Sequence, residues 1–483
     1  MSIDSLRRPT QQTPLIVDLD DTLLKTDTLY ECLAALLRSE PLLAFKALGT
    51  IFAHGRARMK AEMASFDAID VDTLPLRDEF VTWLRQQVAN GRELHLVSAA
   101  DQNIVEKIGS RIGIFASCIG SDGATNLRGP NKAAYLAKAF PGGFAYAGDS
   151  AADLAVWRSA QSVILVNASA SVRRRAAGLD KAVEAEFPGR TNMARTLLAQ
   201  FRPHQWSKNL LVFLPILMAH HFRDVQAWSH AALAFLALCL AASATYIVND
   251  IFDLQADRSH ATKRNRPIAS GALSIALASI LAPVMLAAGF ALAVAASTYA
   301  VIVLAGYVVL TISYSFGLKR VPLLDTAIIG LLFTLRIVMG NAAAEIAPSA
   351  WLLAFSLLIF FSLAMAKRQT EIAKSGGLRE AEMIAGRGYR AGDVVLSLTY
   401  GVSSGVASLV ILMLYTTNSV AAGLYRHPEW LWALPLVLYL WQMRIWLLAH
   451  RGELHDDPIV FALKDPISLV LGACCAVLFY LAL

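Results

Sequence analysis

Apolar and polar positions divide the chain into two textures: short apolar runs set in polar surroundings up to about residue 198, and long apolar runs with brief polar breaks from about residue 206 onward. In the first part, β-rich runs at Pro14 to Val17, Glu93 to Val97, Phe144 to Ala147 and Val163 to Val166 alternate with amphipathic stretches such as Ala133 to Phe140. That alternation predicts a parallel sheet with its functional residues at the carboxyl ends of the strands. The stretch Asp27 to Gln87 reads as mainly helical, a candidate small cap, and Glu184 to Arg195 reads as a polar connector. In the second part, the apolar runs have the length that crosses a hydrocarbon layer about 30 Å thick. They predict nine spans, at about 208–221, 228–251, 273–295, 299–317, 323–341, 350–368, 394–416, 429–448 and 465–483. The first is short for a crossing and is expected to be tilted or partly interfacial. The domains expected are therefore 1–198, soluble, and 199–483, an all-α polytopic membrane domain.

Composition fits that division, with 56% hydrophobic residues and a mean hydropathy of +0.49. The net charge of +6 would admit nucleic acid, but the basic residues gather in alternate loops. Seventeen lie on the side of the N-terminal domain, against only Arg223 and Arg426 on the other. By the positive-inside rule the N-terminal domain is cytoplasmic and the C-terminus lies outside, in a protein integral to the cytoplasmic membrane. Five cysteines without a C-x-x-C spacing read as small buried hydrophobes, not a disulfide frame. The first apolar run, Leu15 to Val17, is too short for a signal peptide.

The chemistry concentrates where a long apolar segment meets a basic loop, at Asn249-Asp-Ile-Phe-Asp-Leu-Gln-Ala-Asp257. On a helix Asn249, Asp253 and Asp257 stack along one face, with Asp250 beside it. Three carboxylates crowded there repel one another unless a cation neutralises them, and hard oxygen ligands near water suit Mg²⁺ arriving with a phosphorylated substrate. The plainer alternative is a polar helix end fraying into solvent. The run from Arg258 to Pro267 follows at once, and its Lys263, Arg264 and Arg266 can donate to the free oxygens of a diphosphate. Further along, Tyr314, Lys319 and Arg320 end the fourth span and Asp325 opens the fifth. Arg336, eleven residues later, falls on the same helical face inside the bilayer. A charge there is costly and marks a polar cavity, here for the phosphate of a lipid substrate; pairing with a carbonyl or with Glu345 is the structural alternative. The polar loop Gly452 to Pro458, with Lys464 and Asp465, reads as a structural cap.

In the first domain a strand ends in Asp18-Leu-Asp-Asp-Thr22, a second stops at Ser98, Lys132 opens a helix, and a third strand runs into Gly148-Asp-Ser-Ala-Ala-Asp153. Two carboxylates at i and i+2 can divide nucleophilic attack and proton transfer between them. The four motifs, in this order over residues 13 to 170, resemble those of the haloacid dehalogenase-like phosphatases. The resemblance implies an α/β Rossmann-like domain with a small helical cap. It makes Asp18 the nucleophile and Asp20 the general acid/base, with Thr22, Ser98 and Lys132 around the phosphoryl group. Asp18, Asp20, Asp149 and Asp153 would form the Mg²⁺ site. Arg56, Arg58 and Lys60 of the cap are either a solvated face or contacts to the substrate phosphate.

From about residue 200 the chain resembles the UbiA family of membrane prenyltransferases, on Arg202-Pro-x-Gln-Trp-x-Lys-Asn209, Asn249-Asp-x-x-Asp-x-x-x-Asp257, the D-R-x-H-x-x-K-R-x-R-P run and Tyr314-Ser-x-x-Leu-Lys319 ahead of Asp325. Within it the flanking runs are most similar to the decaprenyl-phosphate phosphoribosyltransferase branch. That resemblance implies phosphoribosyl diphosphate as donor, Mg²⁺ at Asn249, Asp250, Asp253 and Asp257, a polyprenyl phosphate as acceptor, and Lys208 among the substrate contacts. Members with aromatic acceptors carry a second D-x-x-x-D, where this chain has Asp325 followed by Ile329. The reading is a fusion of a phosphoribosyltransferase with a phosphatase that removes the 5-phosphate. An aromatic-acceptor prenyltransferase using polyprenyl diphosphate is one alternative, and a membrane carrier or scaffold with a regulatory phosphatase-like domain is another.

Overall fold

The computed structural model describes residues 13–40, 43, 69–122, 126–189, 192–374, 382–383, 388–418, 423–454 and 458–483. Arg56, Arg58 and Lys60 lie outside them. The chain divides into two compact units, one of Met1–Phe201 with Tyr246–Leu281 and the other of Arg202–Thr245 with Ala282–Leu483.

The first unit is built on six parallel strands: β1 (Leu15–Val17), β2 (Leu94–Asp101), β3 (Ser117–Ser121), β4 (Ala145–Gly148), β5 (Ser162–Val166) and β6 (Ala182–Phe187), in the order β3-β2-β1-β4-β5-β6. Side chains of a strand alternate between faces, so a sheet covered on both sides needs continuous apolar runs. The cores show this. Leu15 and Val17 join Leu94, Leu96, Ala145 and Ala147 on one face, while Ile16 joins Tyr146, Val163 and Leu165 on the other. Helices α1 (Thr28–Ser39) and α2 (Asp78–Ala89) come from the stretch expected to form a cap. Their Cys32, Leu36, Phe80, Val81 and Leu84 lie in the first of these cores.

Helices α3 (Gln102–Ile112), α4 (Pro130–Ala139), α5 (Leu154–Ser159), α6 (Ala170–Ala177) and α7 (Met193–Phe201) complete the crossovers and the exit. The expected connector at 184–195 is instead the end of β6 and the start of α7. Glu184 and Glu186 made that strand look polar, but Glu184 is held by Arg92, Nη1 to Oε2 at 2.7 Å. The strand order reverses between β1 and β4, which leaves a crevice at their carboxyl ends.

Among the described residues seven helices are long and apolar enough to cross a membrane: α8 (Val225–Phe252), α10 (Ile275–Ala296), α11 (Thr298–Phe316), α12 (Leu324–Ala344), α13 (Ala350–Lys374), Ala391–Thr416, whose α-helical part is α14 (Val394–Thr416), and Pro428–His450, which contains α15 (Leu434–His450). A shorter apolar helix, α16 (Pro466–Ala482), ends the chain. The short helix α9 (Leu254–Ser259) lies between α8 and α10.

The segment expected as the first span is not one α-helix. It runs as a 3₁₀ stretch, Pro203–Phe213, and then a single α-helical segment, Leu214–Met218. Pro203 and Pro215 each lack an N–H, which favours such helix starts and disfavours one continuous helix. The stretch lies close against α12 at Gly340, where a Cβ would come within 2.0 Å of the Val212 carbonyl oxygen. On α8, Ala227, Ala231, Ala234, Ala237 and Ala241 form a buried stripe of helical period that lets neighbours approach closely.

Candidate active sites

Asp18 follows β1 in extended backbone and its Oδ1 accepts the Leu19 N–H at 2.8 Å. Lys132, in the first turn of α4 and 2% exposed, donates from Nζ to Asp18 Oδ1 at 2.8 Å and to the Tyr146 hydroxyl at 2.9 Å. That hydroxyl donates to Asp153 Oδ1 at 2.9 Å. Asp153 Oδ2 accepts the N–H groups of Asp149 and Ser150 and the Ser150 hydroxyl. Thr22 donates to Asp149 Oδ1 at 3.3 Å. Carboxylate oxygens of Asp18, Asp149 and Asp153 lie within 4.8 Å of one another. Burial raises the Asp18 carboxyl above its usual range in spite of Lys132. Burial, reinforced by Asp153 and Asp18, pushes Asp149 up to about 9. One lysine cannot neutralise three carboxylates, and the donor set of hard oxygens fits a divalent cation of the Mg²⁺ kind.

Asp20 lies outside that group of three. Its Oδ1 accepts the Thr28 N–H at 2.8 Å. The turn departs from the strand at Asp21, which has φ +55. The Arg77 guanidinium holds it by donating to the Asp21 carbonyl from Nε at 3.2 Å and Nη2 at 3.0 Å. The i, i+2 alternation of a strand therefore does not govern the two carboxylates, because β1 ends at Val17. Ser98 is inside β2, not after it, and its Oγ accepts the Ala100 N–H at 3.1 Å. Tyr146 was missed from sequence; a lone tyrosine in a buried strand gives no polar signal until its hydroxyl is seen between Lys132 and Asp153.

In the same unit the Asn249–Asp257 motif is not one continuous helix. Helix α8 stops at Phe252 and α9 begins at Leu254. Hydrogen bonds from Asp253 N to Asn249 O (2.9 Å) and from Asp257 N to Asp253 O (2.8 Å) carry the helical spacing across the break. The carboxylates that come together are Asp250 and Asp257, seven residues apart and each 2% exposed. Asn249 and Asp253 are half-buried beside them. Arg266 lies between the pair, Nη1 at 3.1 Å from Asp250 Oδ1 and 2.5 Å from Asp257 Oδ2. Gln200, also missed, donates to Asp250 Oδ2 at 2.9 Å. Burial raises the Asp257 carboxyl, with Arg266 opposing it. Two buried carboxylates bridged by a cationic side chain are an oxygen donor set of the chemistry a divalent cation would suit. Lys263 and Arg264 are exposed on the following 3₁₀ turn.

In the second unit Asp325 is fully buried and accepts from Arg368 Nε at 2.7 Å and from the Tyr389 hydroxyl at 2.8 Å. Arg368 also pairs with Glu371 at 2.5 Å, and its Nη2 is 3.5 Å from the Tyr314 hydroxyl. Asp325 is thus committed to Arg368, whereas the sequence set it beside Lys319 and on the face of Arg336. Lys319 is half-buried in a short 3₁₀ turn, Leu318–Arg320.

Arg336 donates to Asn209 Oδ1 at 2.9 Å, to the Leu332 carbonyl and to the Tyr307 hydroxyl at 3.2 Å. Its guanidinium also lies 5.0 Å from the Phe333 ring centre. Lys208 Nζ is 5.6 Å from that same ring. Among the described residues Arg336 meets no carboxylate, and Glu345 is not its partner. A buried guanidinium with only neutral acceptors and a second cation on the same ring suit an anionic group.

Residues 210–463 match the UbiA prenyltransferase family, more than half of the chain. The chain belongs to that family. It is accordingly an integral membrane protein, in keeping with the seven long apolar helices among the described residues. The chain is 42% identical over 476 residues to the uncharacterized protein y4nM of Sinorhizobium fredii, covering 98% of this chain and 92% of that one. It is 36% identical over 276 residues to the nodulation protein NoeC of Azorhizobium caulinodans, covering 56% of this chain and 87% of that one. It is also 38% identical over 189 residues to the decaprenyl-phosphate phosphoribosyltransferase of Mycolicibacterium smegmatis, covering 38% of this chain and 58% of that one. As a UbiA-family transferase, the chain carries in addition a parallel α/β unit with its own carboxylate centre.

Proposed function

We propose that this UbiA-family protein transfers 5-phosphoribose from phosphoribosyl diphosphate to a polyprenyl phosphate and then removes the 5-phosphate, yielding polyprenyl-phosphate ribose. The transferred phosphoribosyl group and the polyprenyl-phosphate acceptor are those in the name of the phosphoribosyltransferase relative, and a diphosphate is the leaving group that the carboxylate and basic residues suit. The observation that supports the second activity is the lysine-linked carboxylate centre Asp18, Asp149 and Asp153, carried in the same compact unit as Asp250 and Asp257. The domain boundary falls near residues 198–199, with the N-terminal domain cytoplasmic and the C-terminus on the other side.

In the transfer, the bond from ribose C1 to the diphosphate breaks and an oxygen of the lipid phosphate takes its place. Asp250 and Asp257, with Asn249 and Asp253 beside them, would hold Mg²⁺, and its charge would neutralise the departing diphosphate. Arg266, released from its two carboxylates, donates with Lys263 and Arg264 to diphosphate oxygens. Arg336 and Lys208 hold the phosphate of the lipid, while Tyr307 and Phe333 keep water from the guanidinium. Tyr314 and Lys319 contact the substrate, while Asp325, held by Arg368 and the Tyr389 hydroxyl, fixes the frame beside them.

In the second step Asp18, in a haloacid dehalogenase-like site, attacks phosphorus and the bond to the ribose 5-oxygen breaks. Asp20 protonates that oxygen, and water then cleaves the aspartyl-phosphate to release inorganic phosphate. Thr22, Ser98 and Lys132 steady the phosphoryl oxygens, and Asp149 and Asp153 complete the cation site. Carrying both steps on one chain raises the effective concentration of the lipid intermediate at its phosphatase. Membranes containing the protein, given labelled phosphoribosyl diphosphate and polyprenyl phosphate, should yield labelled lipid. An Asp250→Asn, Asp257→Asn double variant should yield none, and unlabelled lipid from the parent would refute the proposal.

A further inference from the structure

Arg258 follows Asp257 directly, yet it serves neither carboxylate centre. Its Nη1 is 2.8 Å from Glu31 Oε2 and its Nη2 is 2.6 Å from Glu31 Oε1, while Nε donates to the Ala269 carbonyl at 3.0 Å. Glu31 Oε1 also accepts the Thr26 hydroxyl at 2.6 Å. The two charged side chains are 4% and 3% exposed. Nearby, Gly271 at φ +75 lies so close to Lys25 that a Cβ would meet the Lys25 carbonyl oxygen at 2.7 Å. The loop after α9 therefore rests on residues 25–31 with backbone nearly touching backbone.

An apolar pair of similar volume would hold these segments together as well, because desolvating two charges offsets most of their attraction. What the planar fork adds is a fixed distance and a fixed angle. The segment it fixes is short and reaches the phosphatase acid. Thr26 hangs on the same carboxylate, Asp27 caps α1 through the Leu29 N–H at 2.8 Å, and the Thr28 N–H donates to Asp20 Oδ1 at 2.8 Å. At the other end the fork is one residue from Asp257, whose Oδ2 is held by Arg266.

We propose that Arg258 and Glu31 are positioning residues that link the Asp250/Asp257 cluster to the carboxylate of Asp20, so that a diphosphate bound at the cluster alters turnover at Asp18. The link rests on the two-site reading above. Linkage makes the effect reciprocal for binding: a phosphate ester held at Asp18 changes diphosphate affinity by the same factor.

Hydrogen exchange on the full chain in nanodiscs, with Mg²⁺ and with or without phosphoribosyl diphosphate, tests it. In the parent, the ligand should slow exchange at residues 249–258 and change exchange at the Thr28 and Leu29 amides by about threefold or more. Glu31→Gln, which keeps volume, and Arg258→Lys, which keeps charge without the fork, should retain the first effect and lose the second. Turnover of an aryl monophosphate, compared with and without the ligand, should change by about threefold in the parent and not at all in either variant. Protection at 249–258 without any change at 26–31 in the parent overturns the link and leaves the two-site reading standing. So does an undiminished response at 26–31 in both variants. If neither segment responds in the parent, the donor-site reading falls and the link falls with it. If the aryl monophosphate is not turned over, the phosphatase reading fails and the exchange data alone decide the link.

Discussion

Asp18 and Asp149 stand at the ends of adjacent strands and meet because a sheet brings them together, whereas Asp250 and Asp257 lie on either side of the break between α8 and α9 and meet across it. The cations that answer them differ too. Lys132 is 2% exposed and fixed between Asp18 and Tyr146. The Arg266 side chain is 27% exposed and reaches in from a loop to bridge its pair. Arg368, buried against Asp325, resembles Lys132 in this respect. A cation sealed in place orients a carboxylate permanently. One reaching from a partly open loop can be exchanged for a divalent ion and turned to a ligand. On this difference the proposed function takes Asp250/Asp257 as the exchangeable site, whereas Arg368 holds Asp325 in the frame.

Removing the fixed cation should have the largest effect on stability. Arg368→Met leaves Asp325 charged in a buried site and should cost about 3–5 kcal/mol in detergent-solubilised protein, a loss that Mg²⁺ does not restore. Arg266→Met should cost less, about 1–3 kcal/mol without metal, because its side chain is 27% exposed and water reaches its carboxylates, and added Mg²⁺ should restore the loss. Thermal melts with and without Mg²⁺ distinguish the two, and equal rescue of both variants would erase the distinction.

A pH dependence follows from the proton on Asp149. Its folded-state pKa of about 9 lies above the unfolded value near 3.9, so the folded metal-free chain holds a proton that the unfolded chain lacks. Stability without metal should therefore fall as pH rises between those two values, and saturating Mg²⁺ should flatten the slope. Chemical denaturation at several pH values checks this; a metal-free stability that rises with pH would contradict it. The smallest effect expected is for Tyr146→Phe, about 1 kcal/mol in stability from the hydroxyl shared by Lys132 and Asp153. Its cost to phosphatase turnover should show in kcat more than in KM.

The sheet centre was legible because each of its motifs follows an apolar run whose period already predicts a strand. Asp18, Lys132 and Asp149 are thus placed at strand ends or a helix start by the sequence alone. The helix-end cluster was legible in its residues but not in its partners. Spacing of four grouped Asn249 with Asp253 and Asp257, and nothing in the sequence marks the break at Phe252 that buries Asp250 with Asp257. Arg368 closes the span expected at 350–368, while helix α13 continues to Lys374. Its match with Asp325 depends on how α12 and α13 pack, and Tyr389 reaches the same carboxylate from a distant loop. Strand β6 escaped because Glu184 is polar only until Arg92 is seen against it.

The central claim is that one chain both adds and trims a phosphopentose on a lipid phosphate. Mass spectrometry of the lipid extracted from an Asp18→Asn variant and from the parent, each supplied with phosphoribosyl diphosphate and polyprenyl phosphate, tests it most directly. The account predicts phosphopentosyl lipid from the variant, lighter by one phosphate in the parent, with dephosphorylation lowered at least about 10³-fold by the substitution. Identical lipid products from the two proteins would contradict it.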